Sequence, residues 1–325
     1  MINRENLKLS RQFLRERALY NRLSKESVRL EETWIRYLLE WADEIPFEKV
    51  HKIKPLFPEY LLSARIEGEK KQFSVNYTKK VLATARRFFL WLVTKNKSLK
   101  KQIDAEFLSI LQPQRFSTEN KDHEAVTIEE ILGIASATTE TLREKRIQAF
   151  ACLLFSSGMR VGAGVTTPIR AINLQEMSIQ QFPSLGVKTK FHKQETTYLL
   201  EIPELTKKIT EWDNLVRNEL PEASCWFAPI SPKTGWFDPN ICEVGEHRNS
   251  RVNKDLKDWL IKNNLPYHSP HKFRHGHAVY AIKKAKTVAE LKAISQNLMH
   301  SNLSITDGIY GILSREDRKK YITGL

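Results

Sequence analysis

Residues 271–280 read HKFRHGHAVY, a stretch dense in histidine with an arginine among them. Ser269 and Pro270 precede it, an N-cap residue type and the residue favoured at the first helical position, so a helix is predicted to begin just before His271. The first-turn N–H groups and the positive end of the helix dipole then make an anion site. His271 and Arg274 share one helix face and can reach the same oxygen-rich group. Arginine offers a planar fork matched to phosphate, and histidine exchanges a proton near neutral pH. Two other readings exist. His271 and His275 have the i, i+4 spacing of metal ligands on a helix, but no Glu stands between them in a HExxH arrangement and no third ligand cluster is evident. The histidines could also serve only as hydrogen-bonded groups of a structural helix start.

Two further stretches hold residues able to do chemistry. NLMHSNLSITDGIYGIL carries His300 and then Tyr310, with Gly308 and Gly311 on either side of the tyrosine. SSGMRVGAG sets Arg160 just after a glycine turn, at the expected start of a helix.

Several elements must position these residues. From Ser24 to Trp41 the residues Val28, Leu30, Trp34, Tyr37, Leu38 and Trp41 recur at helical intervals, and Pro46 closes the segment. A short helical piece is expected from Leu56 to Ala64. Another helix is expected from Val75 to Val93, burying Tyr77, Val81, Leu82, Ala85, Phe88, Phe89 and Leu92. Its other side carries Lys79, Lys80, Arg86 and Arg87, which reads as a basic face for a polyanion. The first twenty residues are basic and show no separate module.

Residues 112–125, QPQRFSTENKDHEA, are polar and aperiodic, which marks a linker and a domain boundary. Thr127 and Glu130 then have capping-box spacing and open a helix through Ile131 and Ile134. An apolar helix from Ile147 to Phe155 stops at SSG. The stretch LGVKTKFHKQETTYLLEIPE offers two strand-like runs around a lysine-bearing turn, a hairpin. Helices follow over Val252–Asn263, Pro270–Lys284 and Val288–Leu298, with a shorter one after Ser304. The expected fold class is mainly α with a small antiparallel β-sheet, in two domains.

Composition agrees with a polyanionic partner. The chain of 325 residues has 52 Lys+Arg against 38 Asp+Glu, a formal charge of +14, and both the first 120 residues and the remainder are basic. There is no basic-then-apolar leader and no continuous apolar run of the ~18 residues a membrane span needs, so no membrane partner and a cytoplasmic location are expected. Cys152, Cys225 and Cys242 are scattered and form no CxxC pair, which suggests neither a disulfide framework nor a thiolate metal site. No GxxxxGK[ST] sequence is present, and no nucleotide cofactor is expected.

An Arg after an SG turn, a hairpin lysine, HxxRH, a later His and a Tyr near the C-terminal end occur here in one order. In this the chain resembles the tyrosine recombinases of the phage integrase and Xer type over nearly its whole length. The resemblance implies a helical core-binding (SAM-like) DNA-binding domain over 1–115 and a catalytic domain over 124–325. Arg160 and Arg274 would bind the non-bridging oxygens of the scissile phosphate, His271 would assist proton transfer, His300 would hydrogen-bond the phosphate, and Tyr310 would be the nucleophile. The catalytic lysine would lie in the hairpin, which offers Lys188, Lys190 and Lys193; Lys193, nearest the second strand, is the first choice and Lys190 the second. Two positions depart from the family pattern: Ala163 stands where an acidic residue often supports the first arginine, and Met299 where glycine often precedes the second histidine.

The implied function is site-specific DNA recombination or integration through a 3′-phosphotyrosyl intermediate, serving a mobile element. Xer-like dimer resolution and a catalytically inactive site-specific DNA-binding protein are the alternatives. The partners would be double-stranded DNA at specific sites and three further copies of the chain, a homo-tetramer on two sites, with the tail after Leu313 docked on a neighbouring protomer. Arginines and a lysine supply the positive charge that a metal would otherwise bring, so no metal or other cofactor is expected.

Overall fold

Helices in the N-terminal part start where the sequence places a capping side chain. Asn3 accepts from Glu5 and Asn6 N–H to open α1 (Arg4–Tyr20), Ser24 opens α2 (Lys25–Ala42), Ser74 opens α3 (Val75–Lys95) and Asp104 opens α4 (Ala105–Ile110). A computed structural model of the chain describes residues 2–64, 72–112, 124–238, 245 and 247–300. The chain divides into two units, 1–119 and 120–325. Tyr310, the helix expected after Ser304, the tail, Cys242 and most of the 112–125 linker lie outside the described residues.

In the first unit, α1, α2 and α3 pack around an aromatic core. Phe88 meets Phe13 edge-on at 5.4 Å and Phe47 at 5.0 Å, and Leu38, Phe88 and Phe89 have no exposed surface. The helix α1 was not anticipated from the sequence, where its segment reads only as basic. Phe13 is buried on it, and Asn6 fastens it to the end of α2 by accepting from Phe47 N–H and donating to Ile45 O, both at 2.8 Å.

A carboxylate ties the three helices together. Glu31 of α2 is buried; it accepts from Arg17 of α1 at 2.6 and 3.1 Å, and from Arg87 of α3 at 3.2 Å. Arg87 also donates to Thr84 Oγ1 at 2.7 Å. On the face expected to be basic, Arg87 is engaged by Glu31 with part of its side chain still in water, Lys79 and Arg86 are half-buried, and Lys80 is exposed.

The second unit is organised by α6 (Leu142–Ser157). From Arg146 to Ser157 every residue on it is buried, which its sequence explains: IQAFACLLFSS has no polar face to offer water. Around it pack α5 (Ile128–Ser136), which opens with the expected Thr127–Glu130 capping box, then α8 (Pro203–Glu219), α9 (Arg248–Lys262) and α10 (Pro270–Lys284). Arg146 fixes α9 by donating to Asp255 at 2.8 Å and to Ala228 O at 2.6 Å. A single turn, α7 (Val161–Gly164), follows α6, and α11 (Val288–Asn297) follows α10. The helix α8 was not read from the sequence, although Leu205, Ile209, Trp212 and Val216 form its buried stripe.

The sheet has three antiparallel strands in the order β1 (Ile172–Asn173), β2 (Ser178–Gln181), β3 (Glu195–Tyr198), with Ile179 opposite Thr197. The second strand of the expected hairpin is β3, but the first is β2, upstream of the LGVKTKF run. That run leaves the ladder because its polar groups are engaged elsewhere: Val187 N–H donates to Phe182 O and Lys188 N–H to Thr166 Oγ1 at 2.9 Å. The lysines consequently sit in a long β2–β3 connection rather than a tight turn. No helix among the described residues is long and apolar enough to cross a membrane.

The ion triad generates a stability prediction. Glu31→Ala leaves Arg17 and Arg87 facing each other without a carboxylate, and should cost the first unit about 3 kcal/mol, since both arginines remain partly hydrated. A lowered denaturant midpoint is the expected reading; an unchanged midpoint would show that the triad holds nothing together.

Candidate active site

A buried helix end sets the geometry. The last carbonyls of an α-helix have no partner within it, and here they point into protein rather than water. The donors come from four parts of the chain. Leu154 O accepts from Gly158 N–H at 3.0 Å, Phe155 O from His277 Nδ1 at 2.8 Å, and Ser156 O from Leu200 N–H at 2.7 Å. Ser157 O accepts from Asn297 Nδ2 at 3.4 Å, and Gly158 O from Arg274 Nη1 at 2.6 Å. Gly158 turns the chain out of α6 with φ +64°, and a Cβ there would lie 2.6 Å from the His277 ring, so both conformation and space require glycine.

These bonds gather the candidate residues. Arg160 follows the turn at the N-cap of α7. Arg274 is buried on the first turns of α10; besides Gly158 O, its Nη2 donates to Leu298 O at 2.6 Å and to His300 Nε2 at 3.0 Å. Lys193, two residues before β3 begins, donates from Nζ to Met299 O at 3.2 Å, next to His300. Asn297 clasps the strand to α11: its Oδ1 accepts from Tyr198 N–H at 2.7 Å and its Nδ2 donates to Tyr198 O at 3.0 Å. Lys190 turns elsewhere, its Nζ lying 5.0 Å from the Phe191 ring centre. Of the three hairpin lysines weighed from sequence, Lys193 is the one seen to bond within the cluster.

The helix start at Ser269 and Pro270 is as expected, with one difference: the Ser269 side chain makes no capping bond. His271 stands exposed on the first turn, edge-on to His275 with ring centres 4.4 Å apart. Loss of water around its ring, then the charges of Arg274 and Arg160, hold His271 below the usual histidine range. His300 is pushed down to about 4 by burial and then by Arg274, Arg160 and Lys193. A neutral His300 whose Nε2 accepts from Arg274 carries its proton on Nδ1. The cluster is therefore three fixed cations and two neutral imidazoles, one able to accept a proton and one able to donate a hydrogen bond. No group of three or more His, Cys, Asp or Glu among the described residues is arranged to hold a metal ion.

Both departures from the expected pattern have a structural place. Met299 has φ +53°, the left-handed region in which glycine is at ease, which is why glycine suits that position. Ala163 is buried on α7, and its carbonyl accepts from Thr166 and Thr167 hydroxyls at 3.0 and 2.9 Å.

Three positioning residues escaped the sequence reading: His277, Asn297 and Gly276. His277 and Asn297 act through hydrogen bonds to backbone carbonyls that no spacing pattern displays. At Gly276 a Cβ would lie 2.2 Å from Val126 O, so glycine admits the chain segment that enters the second unit. That segment is held on α10 by Val126 N–H donating to Lys272 O at 3.2 Å.

His277 generates a pH prediction. Burial pushes its pKa down to about 4 from an ordinary 6.5. The unfolded chain therefore takes up a proton there below pH 6.5 while the folded one does not until about pH 4, and stability falls across that window as pH drops. The loss from this group amounts to roughly 3 kcal/mol below pH 4. His277→Phe should flatten that part of the profile and cost about 1–2 kcal/mol at pH 7, because Phe155 O loses its donor. Thermal unfolding of both forms between pH 4 and 7 checks this.

Compared by sequence, the chain matches no protein-family model and no curated protein. Compared by structure, it is similar to a lambda integrase dimer bound to a COC′ core site, at a TM-score of 0.64 and 12% identity over 95% of each chain. It is similar to the Tn1549 transposon integrase in complex with a circular intermediate DNA, at 0.62 and 12% over 100% of both chains. The XerH site-specific recombinase bound to its difH substrate aligns at 0.57 and 14% identity, over 97% of this chain and 84% of that one. The chain has the fold of the tyrosine recombinases.

Proposed function

We propose that this protein is a site-specific DNA recombinase that breaks and rejoins DNA through a tyrosine–phosphate bond, with Tyr310 as nucleophile. The observation that carries the reading is the convergence of Arg160, Lys193, His271, Arg274 and His300 at one end of α6, on the fold of the tyrosine recombinases. A phosphodiester attacked by a hydroxyl gains negative charge at its non-bridging oxygens, and donors already fixed in place stabilise that charge without reorganising. Arg274 is such a donor, held by two carbonyls before any substrate arrives, and Arg160 supplies the second positive charge.

The remaining roles follow from protonation. His271, held neutral at pH 7, accepts the proton that the Tyr310 hydroxyl loses as its oxygen bonds to phosphorus. His300 hydrogen-bonds the phosphate through Nδ1–H. Lys193 gives a proton to the departing 5′ oxygen, leaving the 3′ phosphate on the tyrosine; attack by a 5′ hydroxyl reverses the step and reseals the strand. Units 1–119 and 120–325 act as core-binding and catalytic domains, and four protomers join two DNA sites. Similarity to the Tn1549 transposon integrase supports a mobile element as the setting.

The direct test incubates wild type and Tyr310→Phe, in EDTA, with nicked duplexes from the DNA flanking the gene, and looks for protein attached to DNA on a denaturing gel. Wild type should form an adduct, and Tyr310→Phe none. Lys193→Ala should slow adduct formation at least a hundredfold while Lys190→Ala leaves the chemistry standing. Equal adducts from wild type and Tyr310→Phe would overturn the assignment of the nucleophile. Reversing the charge at Lys79 and Lys80 should weaken DNA binding and lower its salt slope by about 0.9 for each phosphate that is no longer neutralised. Reversal at Arg87 should instead unfold the first unit, because that residue serves Glu31.

A further inference from the structure

Phe191 is the most exposed large apolar side chain among the described residues, at 79%. It stands at the tip of the β2–β3 connection, two residues before Lys193. The backbone there is strained: Phe191 has φ +61° and His192 φ +53°, consecutive left-handed conformations without a glycine. Such strain persists only where the surroundings impose it, and it concentrates where ligands are handled.

The surroundings are visible. Before the tip, Val187 is buried, Lys188 N–H donates to Thr166 Oγ1 at 2.9 Å, and Thr189 Oγ1 closes the turn on Lys193 O. After it, Lys193 Nζ holds Met299 O beside His300. Both ends are fastened while the ring projects. A relaxed turn would let an apolar ring fold back onto the surface; this one holds it out in water.

Its neighbours identify what it meets. Lys188 and Lys190 are exposed beside it, Lys190 Nζ lies 5.0 Å from the ring centre, and the phosphate-binding cluster begins two residues along the chain. An aromatic face among cations, next to a site for a backbone phosphate, matches a nucleic-acid strand: the cations meet the phosphates and the ring meets a base. We propose that Phe191 is a wedge that inserts against a nucleobase next to the phosphate held by the site, unstacking it from its neighbour. The proposal rests on the DNA-cleaving reading above and adds a base contact to a cluster that otherwise touches only phosphate.

The test uses the full-length protein and short duplexes of one sequence, fully paired or with a single central mismatch that lowers the cost of unstacking. In competition binding, wild type and Phe191→Trp should prefer the mismatched duplex by about tenfold. Phe191→Asn, which is at ease in the left-handed region and removes the ring without straining the turn, should bind both alike. A 2-aminopurine placed beside the mismatch should brighten with wild type and stay dim with Phe191→Asn. Equal preference and equal fluorescence in wild type and Phe191→Asn would overturn the wedge. The covalent adduct separates this from the catalytic reading: ring-dependent mismatch preference without an adduct sinks the recombinase and leaves the wedge, while an adduct formed with no dependence on the ring does the reverse.

Discussion

The structure of the second unit depends on one constraint: the C-terminal carbonyls of α6 are buried, and each must find a donor. Leaving one unmet costs about 1–3 kcal/mol, so five successive carbonyls, Leu154 to Gly158, exert a strong demand on whatever surrounds them. The donors come from the Gly158 turn, α10, the chain after β3, and α11. Supplying them draws those elements to one point. Arg274 arrives because Gly158 O needs it, and Lys193 and His300 arrive because Leu200 and Asn297 are fastened nearby.

Under the proposed function, stability and chemistry are served by the same bonds. A guanidinium restrained by two backbone carbonyls loses little freedom when it meets a phosphate, which is what preorganised charge stabilisation requires. Burial and the same cations set the protonation of the imidazoles. Loss of water first, and then the charges of Arg274 and Arg160, disfavour a charge on His271 and His300, so both are neutral at physiological pH. His277, farther inside, stays neutral through burial and spends its Nδ1–H on Phe155 O.

The first unit solves a different problem with related means. Its aromatic core is apolar and non-directional, and the buried Glu31 adds direction by fixing which faces of α1 and α3 meet α2. One consequence is that residues on a basic-looking face divide in use. Arg87 turns inward to the carboxylate while Lys80 stays in water, a distinction that residue type and spacing do not carry.

Much was legible in the sequence because it is written locally. Caps at Ser24, Ser74 and Thr127, the apolar run Ile147–Phe155 and the Pro270 helix start fix their elements through neighbours a few residues away. HxxRH with Arg160, His300 and Tyr310 supplied, by residue type and order, the groups on which the proposed phosphate chemistry rests. What the sequence could not display is pairing across long separations. The first strand of the hairpin was misplaced because Val187 and Lys188 answer to Phe182 and Thr166 rather than to a strand partner. Lys193 was already the first choice from its place near the second strand, but its bond to Met299 O spans more than a hundred residues, and the importance of His277 lies in a carbonyl 122 residues back. The sequence by itself determined most of the helices, α1 and α8 excepted, and the inventory of reactive groups, since periodicity and capping act within a turn or two. The tertiary structure alone decided which groups meet, because a buried carbonyl accepts whichever donor the packing delivers.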